Sequence, residues 1–251
     1  MLTVPGPGGA RKRRRSRVLA RLGVLVTAAV LPGAAIAQAA VGLGPVTKFR
    51  AAFTTERASA PSGLVLKTDG RPPPASITEA AAVQQTITLP AGTALRLDRL
   101  PQCKASDALI TAHGAEAACP RSSRVGSGGA DGVMNGAAVH FDLGIYAVRG
   151  RLVLAAERAG RPLDQFFTGV AHGRRLVLTV PTLGGRIAPT AFDARIPARP
   201  GGQIWLRTPT VCPANGNWTV AGRFQGLSSA TASGVPVTAH QTLVDSLRCR
   251  G

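Results

Sequence analysis

The sequence predicts an all-β protein built as an antiparallel β-sandwich, either one elaborate sandwich or two abutting ones. Short runs of alternating apolar and polar residues recur along the chain, and Gly, Pro, Asn and Asp separate these runs. Such runs are typical of antiparallel strands that bury one face and expose the other. Only one short helix is predicted beyond the N-terminal segment. This pattern of many short strands is typical of immunoglobulin-like sandwiches.

Residues 1–37 are predicted to be a signal peptide. A basic stretch, Arg11–Arg21, precedes an apolar stretch, Leu22–Ile36, and Ala35 and Ala37 form an A-x-A cleavage pattern. The apolar stretch is shorter than the roughly 20 residues that a membrane-spanning helix needs. We therefore expect cleavage after Ala37 and no transmembrane segment in the mature protein. The arginine run leaves open whether export uses the general secretory or the twin-arginine route.

The mature chain is predicted to begin with a short linker, residues 38–45, followed by a secreted all-β region, residues 46–251. Cleavage after residue 37 leaves 214 residues. That length is enough for one large sandwich or for two smaller domains. The second alternative places a subdivision near residues 100–132.

Two hairpins are predicted from turn residues between alternating runs. The clearer one spans Ile145 to Ala155 with Arg149-Gly150 as its turn, and His172-Gly173 marks the second. The runs that we predict as strands are Lys48 to Thr54, Leu64 to Thr68, Thr86 to Leu89, Ala94 to Asp98, Ala138 to Tyr146, Arg151 to Ala155, Arg175 to Val180, Phe192 to Ile196, Ile204 to Arg207, Trp218 to Phe224 and Pro236 to Leu243.

The one predicted helix lies between the first two cysteines. It covers Ala105 to Ala118, with Ser106 or Asp107 as its N-cap, and Gly114 interrupts it.

The four cysteines predict two disulfides. An even number of cysteines in an exported protein indicates disulfide bonds, and four cysteines allow three pairings. We favour the sequential pairing, Cys103 with Cys119 around the helix and Cys212 with Cys249 across the last strands. Each closure contributes about 3–4 kcal/mol through loop entropy. No C-x-x-C spacing is present and the four histidines are isolated, so we expect neither a metal site nor a cofactor.

Basic residues dominate the charge of the chain. The formal net charge is +18, and removal of the signal peptide leaves 23 Lys and Arg against 12 Asp and Glu. This excess favours anionic partners such as cell-envelope polymers or other anionic surfaces. The charges are scattered and aromatic residues are few, so no nucleic-acid partner is expected. Arginines beside the two turns are the candidate contacts: Arg149, Arg151, Arg174 and Arg175.

Several motifs resemble those of a known group of proteins. The motifs are L-P-A-G-T at Leu89–Thr93, L-P-Q-C at Leu100–Cys103, A-A-C-P-R-S-S-R-V-G-S-G at Ala117–Gly128, L-R-T-P-T-V-C-P at Leu206–Pro213 and G-N-W-T at Gly216–Thr219. Together they resemble an uncharacterised family of secreted, β-rich, four-cysteine proteins from high-GC actinobacteria. The resemblance spans Phe49 to Cys249. It implies secretion and a β-rich fold, and it assigns no activity to any residue.

Two patterns resemble parts of catalytic sites. His140 and Asp142 alternate in a predicted strand, so both side chains point to one face and could share a hydrogen bond or a metal. We favour the simpler interpretation, a polar outward face, because a lone His-Asp pair lacks the third ligand or nucleophile that a site needs. His113 and Ser127 lie in short motifs that resemble those of trypsin-like proteases, but their close spacing in sequence excludes that fold. The glycines at 126–129 are instead predicted to form tight turns.

The sequence therefore predicts a secreted or envelope-associated, non-enzymatic protein that binds cell-envelope polymers or other anionic surfaces, with no catalytic residue assigned. Its oligomeric state and specific ligand stay open. The alternative is an extracellular hydrolase acting on envelope polymers or glycans, with catalytic residues gathered only by folding. A cleft holding His140, Asp142 and another acid would favour the hydrolase, whereas a flat polar face would exclude it.

Overall fold

The computed structural model describes residues 46–71, 80–158, 161–181, 187–228 and 237–251. The predicted signal peptide, residues 1–37, and the predicted linker, residues 38–45, lie outside the described residues.

Strands account for most of the described chain. They are β1 Val46–Phe53, β2 Leu64–Gly70, β3 Ala80–Thr88, β4 Ala94–Leu95, β5 Arg124–Met134, β6 Ala137–Val148, β7 Arg151–Arg158, β8 Arg161–His172, β9 Arg175–Pro181, β10 Ile187–Ile196, β11 Leu206–Arg207, β12 Asn217–Ser228 and β13 Val237–Arg248. The helices are α1 Asp107–His113 and α2 Ala115–Ala118, with 3-10 turns at Leu97–Arg99, Arg121–Ser123 and Pro200–Gly202.

Eleven of these strands form one sheet, in the order β1-β2-β10-β5-β6-β7-β8-β9-β3-β12-β13. Every neighbouring pair in the sheet is antiparallel. The remaining two strands, β4 and β11, pair with each other. The predicted all-β antiparallel class is confirmed. Both predicted hairpins are present. The hairpin β6-β7 turns at Arg149-Gly150 as predicted, whereas β8-β9 turns at Gly173-Arg174, one residue later than predicted.

The sheet curls so that its two halves face each other as the layers of a sandwich. Leu66 on β2 and Leu178 on β9 line the same small internal cavity, although five strands lie between β2 and β9 in the sheet order. The rings of Phe167 on β8 and Phe192 on β10 lie 6.5 Å apart between centroids. A single apolar core therefore fills the space between the facing halves.

The two edge strands, β1 and β13, lie side by side and are joined through side chains. The main-chain N–H of Val46 donates to Oε1 of Gln241 at 2.9 Å, and Nε2 of Gln241 donates to the carbonyl oxygen of Val46 at 2.6 Å. The N–H of the buried Ala51 donates to Oδ2 of Asp245 at 3.1 Å. Along this part of the two strands, side chains of β13 thus form the hydrogen bonds to β1 that main-chain groups form between the other strands.

The number of strands sets the relative direction of β1 and β13 at this junction, which we call the seam. Because eleven strands alternate in direction, the first and the last run the same way, and the chain just after β1 meets the chain just after β13 in a parallel bridge, Arg57 with Arg250. The N–H of Arg250 donates to the carbonyl oxygen of Glu56 at 2.7 Å there. Elsewhere along the seam, inward-facing polar groups protect both edges, a common device against pairing with other chains.

Long connections gather at one end of the sheet, which we call the capped end. It is the end at which β6, β8 and β13 finish and β7, β9 and β12 begin. The connections there are residues 54–63, 89–123, 149–150, 173–174 and 197–216, followed by residues 249–251. The pair β4-β11 lies among them. In the described residues, no helix is both long and apolar enough to cross a membrane.

The predicted helix is present as α1 and α2, which cover the outer face of β6 and β7. The Ser106 side chain caps α1 by accepting the N–H of Leu109 at 3.2 Å, and Gly114, with φ +77°, separates the two helices. Ile110 is buried in a second apolar cluster with Tyr146 and neighbouring side chains of the sheet. A disulfide between Cys103 and Cys119 closes this segment.

The second disulfide, Cys212 with Cys249, ties the connection 197–216 to the chain just after β13. These two bonds are the pairs predicted from the sequence. Trp218 is buried nearby, where its Nε1 donates to the carbonyl oxygen of Val211 at 2.9 Å and its ring meets Phe53 edge to face.

The glycines at 126–129 lie in β5, so their prediction as tight turns was wrong. A Cβ at Gly126 would lie 2.3 Å from the carbonyl oxygen of Arg195, and one at Gly128 would lie 2.1 Å from that of Asp193. Gly126 and Gly128 are required because main-chain atoms of β10 occupy the place that a side chain would take at these two positions.

Gly128→Ala should destabilise the fold by about 1–3 kcal/mol, since its Cβ would overlap main-chain atoms of β10 that cannot move alone. Gly129→Ala is the matched control. Its Cβ would meet only the exposed side chains of Asp193 and His140, at 3.1 Å from each. Urea unfolding measures both free energies, and equal losses for the two variants would contradict this account of the close approach.

Asp245→Ala should destabilise the fold by about 1–3 kcal/mol, because the buried N–H of Ala51 loses its acceptor. Asp245→Asn keeps a side-chain oxygen and should lose less. Ser246→Ala, on the exposed side of the same strand, is the control. Thermal or urea unfolding compares the three variants, and a neutral Asp245→Ala would show that the seam does not depend on this side chain.

Candidate functional site

Basic residues concentrate at the capped end. Its connections hold ten Lys and Arg residues against four acidic ones, Glu56, Asp98, Asp107 and Glu116. The basic residues are Arg57, Arg96, Arg99, Lys104, Arg121, Arg149, Arg174, Arg199, Arg207 and Arg250. This end of the molecule therefore attracts anions more strongly than an even distribution of charge would.

An open depression at the capped end, of about 410 Å³, is lined by four arginines, and we call it the arginine groove. The four are Arg96, Arg99, Arg199 and Arg207. Each of their side chains is exposed. The groove lies between the 3-10 turn Leu97–Arg99 on one side and the segment 199–207 on the other.

The frame of the groove is rigid. Leu95 on β4 pairs with Leu206 on β11, and the N–H of Arg96 donates to the carbonyl oxygen of Trp205 at 2.7 Å. Trp205 is itself buried, and its Nε1 donates to the carbonyl oxygen of Pro197 at 2.8 Å. Buried anchors thus fix the backbone that carries the exposed arginines.

One carboxylate accompanies the four arginines. Asp98 accepts two hydrogen bonds from Arg96, at 3.0 Å from Nε and 2.8 Å from Nη2, and this pairing lowers the pKa of the Asp98 carboxyl below its ordinary value. Arg207 donates through Nη1 to the carbonyl oxygen of Ser59 at 3.2 Å. Within the described residues, Arg99 and Arg199 form no ion pair. The groove therefore keeps a net positive charge.

A second depression, of about 510 Å³, lies on the other side of the 3-10 turn Pro200–Gly202. Arg124 and Arg195 line it together with Ser127 and two prolines, Pro197 and Pro200. Both arginines are exposed. No carboxylate lines either depression.

The four arginines proposed from the sequence lie at the same end of the molecule as the groove, beside two turns. Arg149 donates to the carbonyl oxygen of Lys104 at 3.2 Å, and Arg174 donates to that of Leu89 at 2.7 Å. Arg151 forms an ion pair with Asp107.

These three arginines therefore hold the connection 89–123 against the sheet. Arg175 is the exposed first residue of β9. A role of the four in contacting anionic surfaces stays a prediction.

His140 and Asp142 share the exposed outer face of β6, as expected. Nδ1 of His140 lies 2.6 Å from Oδ1 of Asp131 on β5, and Nε2 lies 3.7 Å from Oδ1 of Asp142. The three side chains are each more than half exposed, so the group lies on an open sheet face rather than in a cleft. In the part of the chain that the structure describes, no group of three or more side chains is arranged to hold a metal ion.

Nearby carboxylates raise the pKa of His140 above its ordinary value. The largest cause is the hydrogen bond with Asp131, and the charges of Asp131, Asp142 and Asp193 add to it. Protonated His140 is therefore stabilised by folding. This stabilisation is fully present below the unfolded-state pKa and is lost as pH rises through the higher folded-state pKa.

Sequence reasoning missed the arginines of the groove. They are far apart along the chain, and only the pairing of β4 with β11 brings Arg96 and Arg99 close to Arg199 and Arg207. Each looks like an ordinary surface residue in the sequence, so no spacing pattern indicated the site.

No protein-family model matches this sequence, and no curated protein matches it. Three solved structures share a distant likeness in fold. The chain is 11% identical to the collagen-binding domain of Erysipelothrix rhusiopathiae surface protein RspB, with a TM-score of 0.32, covering 74% of this chain and 41% of that one. It is 9% identical to domains D2 and D3 of the major pilin SpaD of Corynebacterium diphtheriae, with a TM-score of 0.29, covering 78% and 51%.

The third structure is the T6 backbone pilin of serotype M6 Streptococcus pyogenes. Identity is 7% and the TM-score is 0.34, with 81% of this chain and 35% of that chain covered. The chain thus spans about a third to a half of the length of these proteins.

An NMR titration of the His140 ring should give a pKa above the ordinary value of 6.5. Asp131→Asn should bring that pKa back toward 6.5, because the neutral amide no longer stabilises the imidazolium. Asp142→Asn should lower the pKa less, since Asp142 lies farther from the ring. A His140 pKa that does not respond to Asp131→Asn would contradict the contact between the two side chains.

Proposed function

We propose that this chain is a secreted or envelope-associated binding protein, without catalytic activity of its own, that binds anionic polymers of the cell envelope at its capped end. The observation that carries this proposal is the arginine groove. Four exposed guanidinium groups surround one depression on a rigid frame, and no carboxylate lines it. Guanidinium groups suit phosphate and carboxylate ligands because their donors form a planar fork.

The two disulfides support a location outside the cytoplasm. Disulfides form and persist in oxidising compartments and are rare in reducing ones. Both pairs close connections of the capped end, the same end that carries the groove. The predicted signal peptide, residues 1–37, is consistent with this location.

The hydrolase alternative receives no support from the described residues. Hydrolysis of a glycan needs two positioned carboxyl groups beside a bound substrate, and bound substrates occupy concave sites. His140, Asp131 and Asp142 lie instead on a flat, exposed face of the sheet. The arginine groove offers binding groups without a carboxylate lining it.

The test is co-sedimentation of residues 38–251 with isolated bacterial cell walls over a salt series from about 0.05 to 1 M. We expect binding at low salt that weakens as salt rises. Arg99→Gln with Arg199→Gln should weaken binding about five- to thirtyfold, since each exposed ion contact is worth roughly 0.5–1 kcal/mol.

The matched control is Arg50→Gln with Arg158→Gln, which removes the same charge from exposed positions outside the groove. Equal weakening by both pairs would assign binding to net charge rather than to the groove. Absence of wall binding at every salt concentration would overturn the proposed function.

A further inference from the structure

The arginine groove and the second depression share a wall, the 3-10 turn Pro200–Gly202. We infer that the two form one track, which binds a linear acidic polysaccharide lying across this turn. The inference rests on the proposed function and adds the chemical class of the ligand and the path that it follows.

Residues of one short segment line both depressions. Arg199 and Gly202 belong to the arginine groove, whereas Pro197 and Pro200 belong to the second depression. A chain that leaves one depression therefore has only this turn to cross before it enters the other.

The turn has a fixed shape. Gly201 has φ +58°, and a Cβ there would lie 2.6 Å from Cγ of Pro101, so the turn packs directly against the connection 89–123. Gly202 also has a positive φ, +80°, and Pro200 is buried. The wall between the depressions is thus part of the rigid frame.

Charge favours an extended anion over a small one. Four arginines line one side of the turn, Arg124 and Arg195 line the other side, and no carboxylate lies in either lining. A small anion reaches one side only. A polymer that carries an acidic group on each repeating unit reaches both, and its second contact forms at a high effective concentration.

The neutral residues of the track favour a saccharide over an inorganic phosphate chain. The exposed side chains of Gln203 and Ser127 offer hydrogen-bond donors and acceptors to hydroxyl groups. Ile204 and the exposed Pro197 offer apolar surface to the carbon-hydrogen faces of sugar rings. A chain of phosphates could accept hydrogen bonds from the guanidinium, amide and hydroxyl groups, but it would leave the apolar surface unused.

The test is calorimetric titration of residues 38–251 with galacturonic acid, a short oligogalacturonate and a long polygalacturonate. We expect no measurable binding of the monomer and a steep rise in affinity once the chain spans both depressions. Fully methyl-esterified polygalacturonate, which has the same sugar backbone without the charge, should bind at least tenfold more weakly than the acidic polymer.

Single substitutions separate the two sides of the track. Arg124→Gln should weaken binding of the long polymer about fivefold and leave the short oligomer unchanged, whereas Arg199→Gln should weaken both. Arg158→Gln, outside both depressions, should change neither. Circular dichroism and the thermal midpoint verify that each variant folds.

The inference would be overturned if polyphosphate of equal charge bound with the same affinity as polygalacturonate. It would also be overturned if the affinity per repeating unit did not depend on the length of the polymer, or if Arg124→Gln and Arg158→Gln had equal effects on binding. Cell-wall binding that persists without any binding of polygalacturonate would also overturn it and leave the proposed function standing. Absence of cell-wall binding at every salt concentration would overturn both this inference and the proposed function.

Discussion

Closure of the sheet is the constraint on which the rest of the structure depends. An all-antiparallel sheet with eleven strands brings two parallel edges together, so β1 and β13 cannot join by the antiparallel pairing used everywhere else. The side chains of Gln241 and Asp245 join the two edges instead, by hydrogen bonds to the backbone of β1. The closed sheet then encloses one core, and the capped end carries the long connections 89–123 and 197–216.

The capped end follows from that closure. Short strands and 3-10 turns have little core of their own, so two disulfides and the buried Trp205 hold them in place. Arg149, Arg151 and Arg174 bond the connection 89–123 of the capped end to the sheet. The arginines of the groove are instead exposed to solvent. Arginine therefore has two roles here, one in fixing the cap and one in presenting positive charge.

Much of this fold is predictable from local sequence. The alternation of apolar and polar residues predicted the all-β class. Ser106 and Gly114 indicated the helical segment, and Arg149-Gly150 indicated a hairpin, because each of these signals is a local pattern. Strand β5 was not predicted because its glycines resemble a turn. These glycines are explained by the close approach of β10, which is more than sixty residues away in sequence. The seam and the arginine groove were not predicted for the same reason, since both form from contacts between residues that are far apart in sequence.

The central claim is that anions bind at the arginine groove rather than over the whole basic surface. The most direct measurement is an NMR titration of arginine Nε–Hε signals with polygalacturonate at physiological salt. The account predicts that the signals of Arg99 and Arg199 shift first and most, while those of Arg50 and Arg158 stay in place. Shifts of similar size at all four arginines would contradict it.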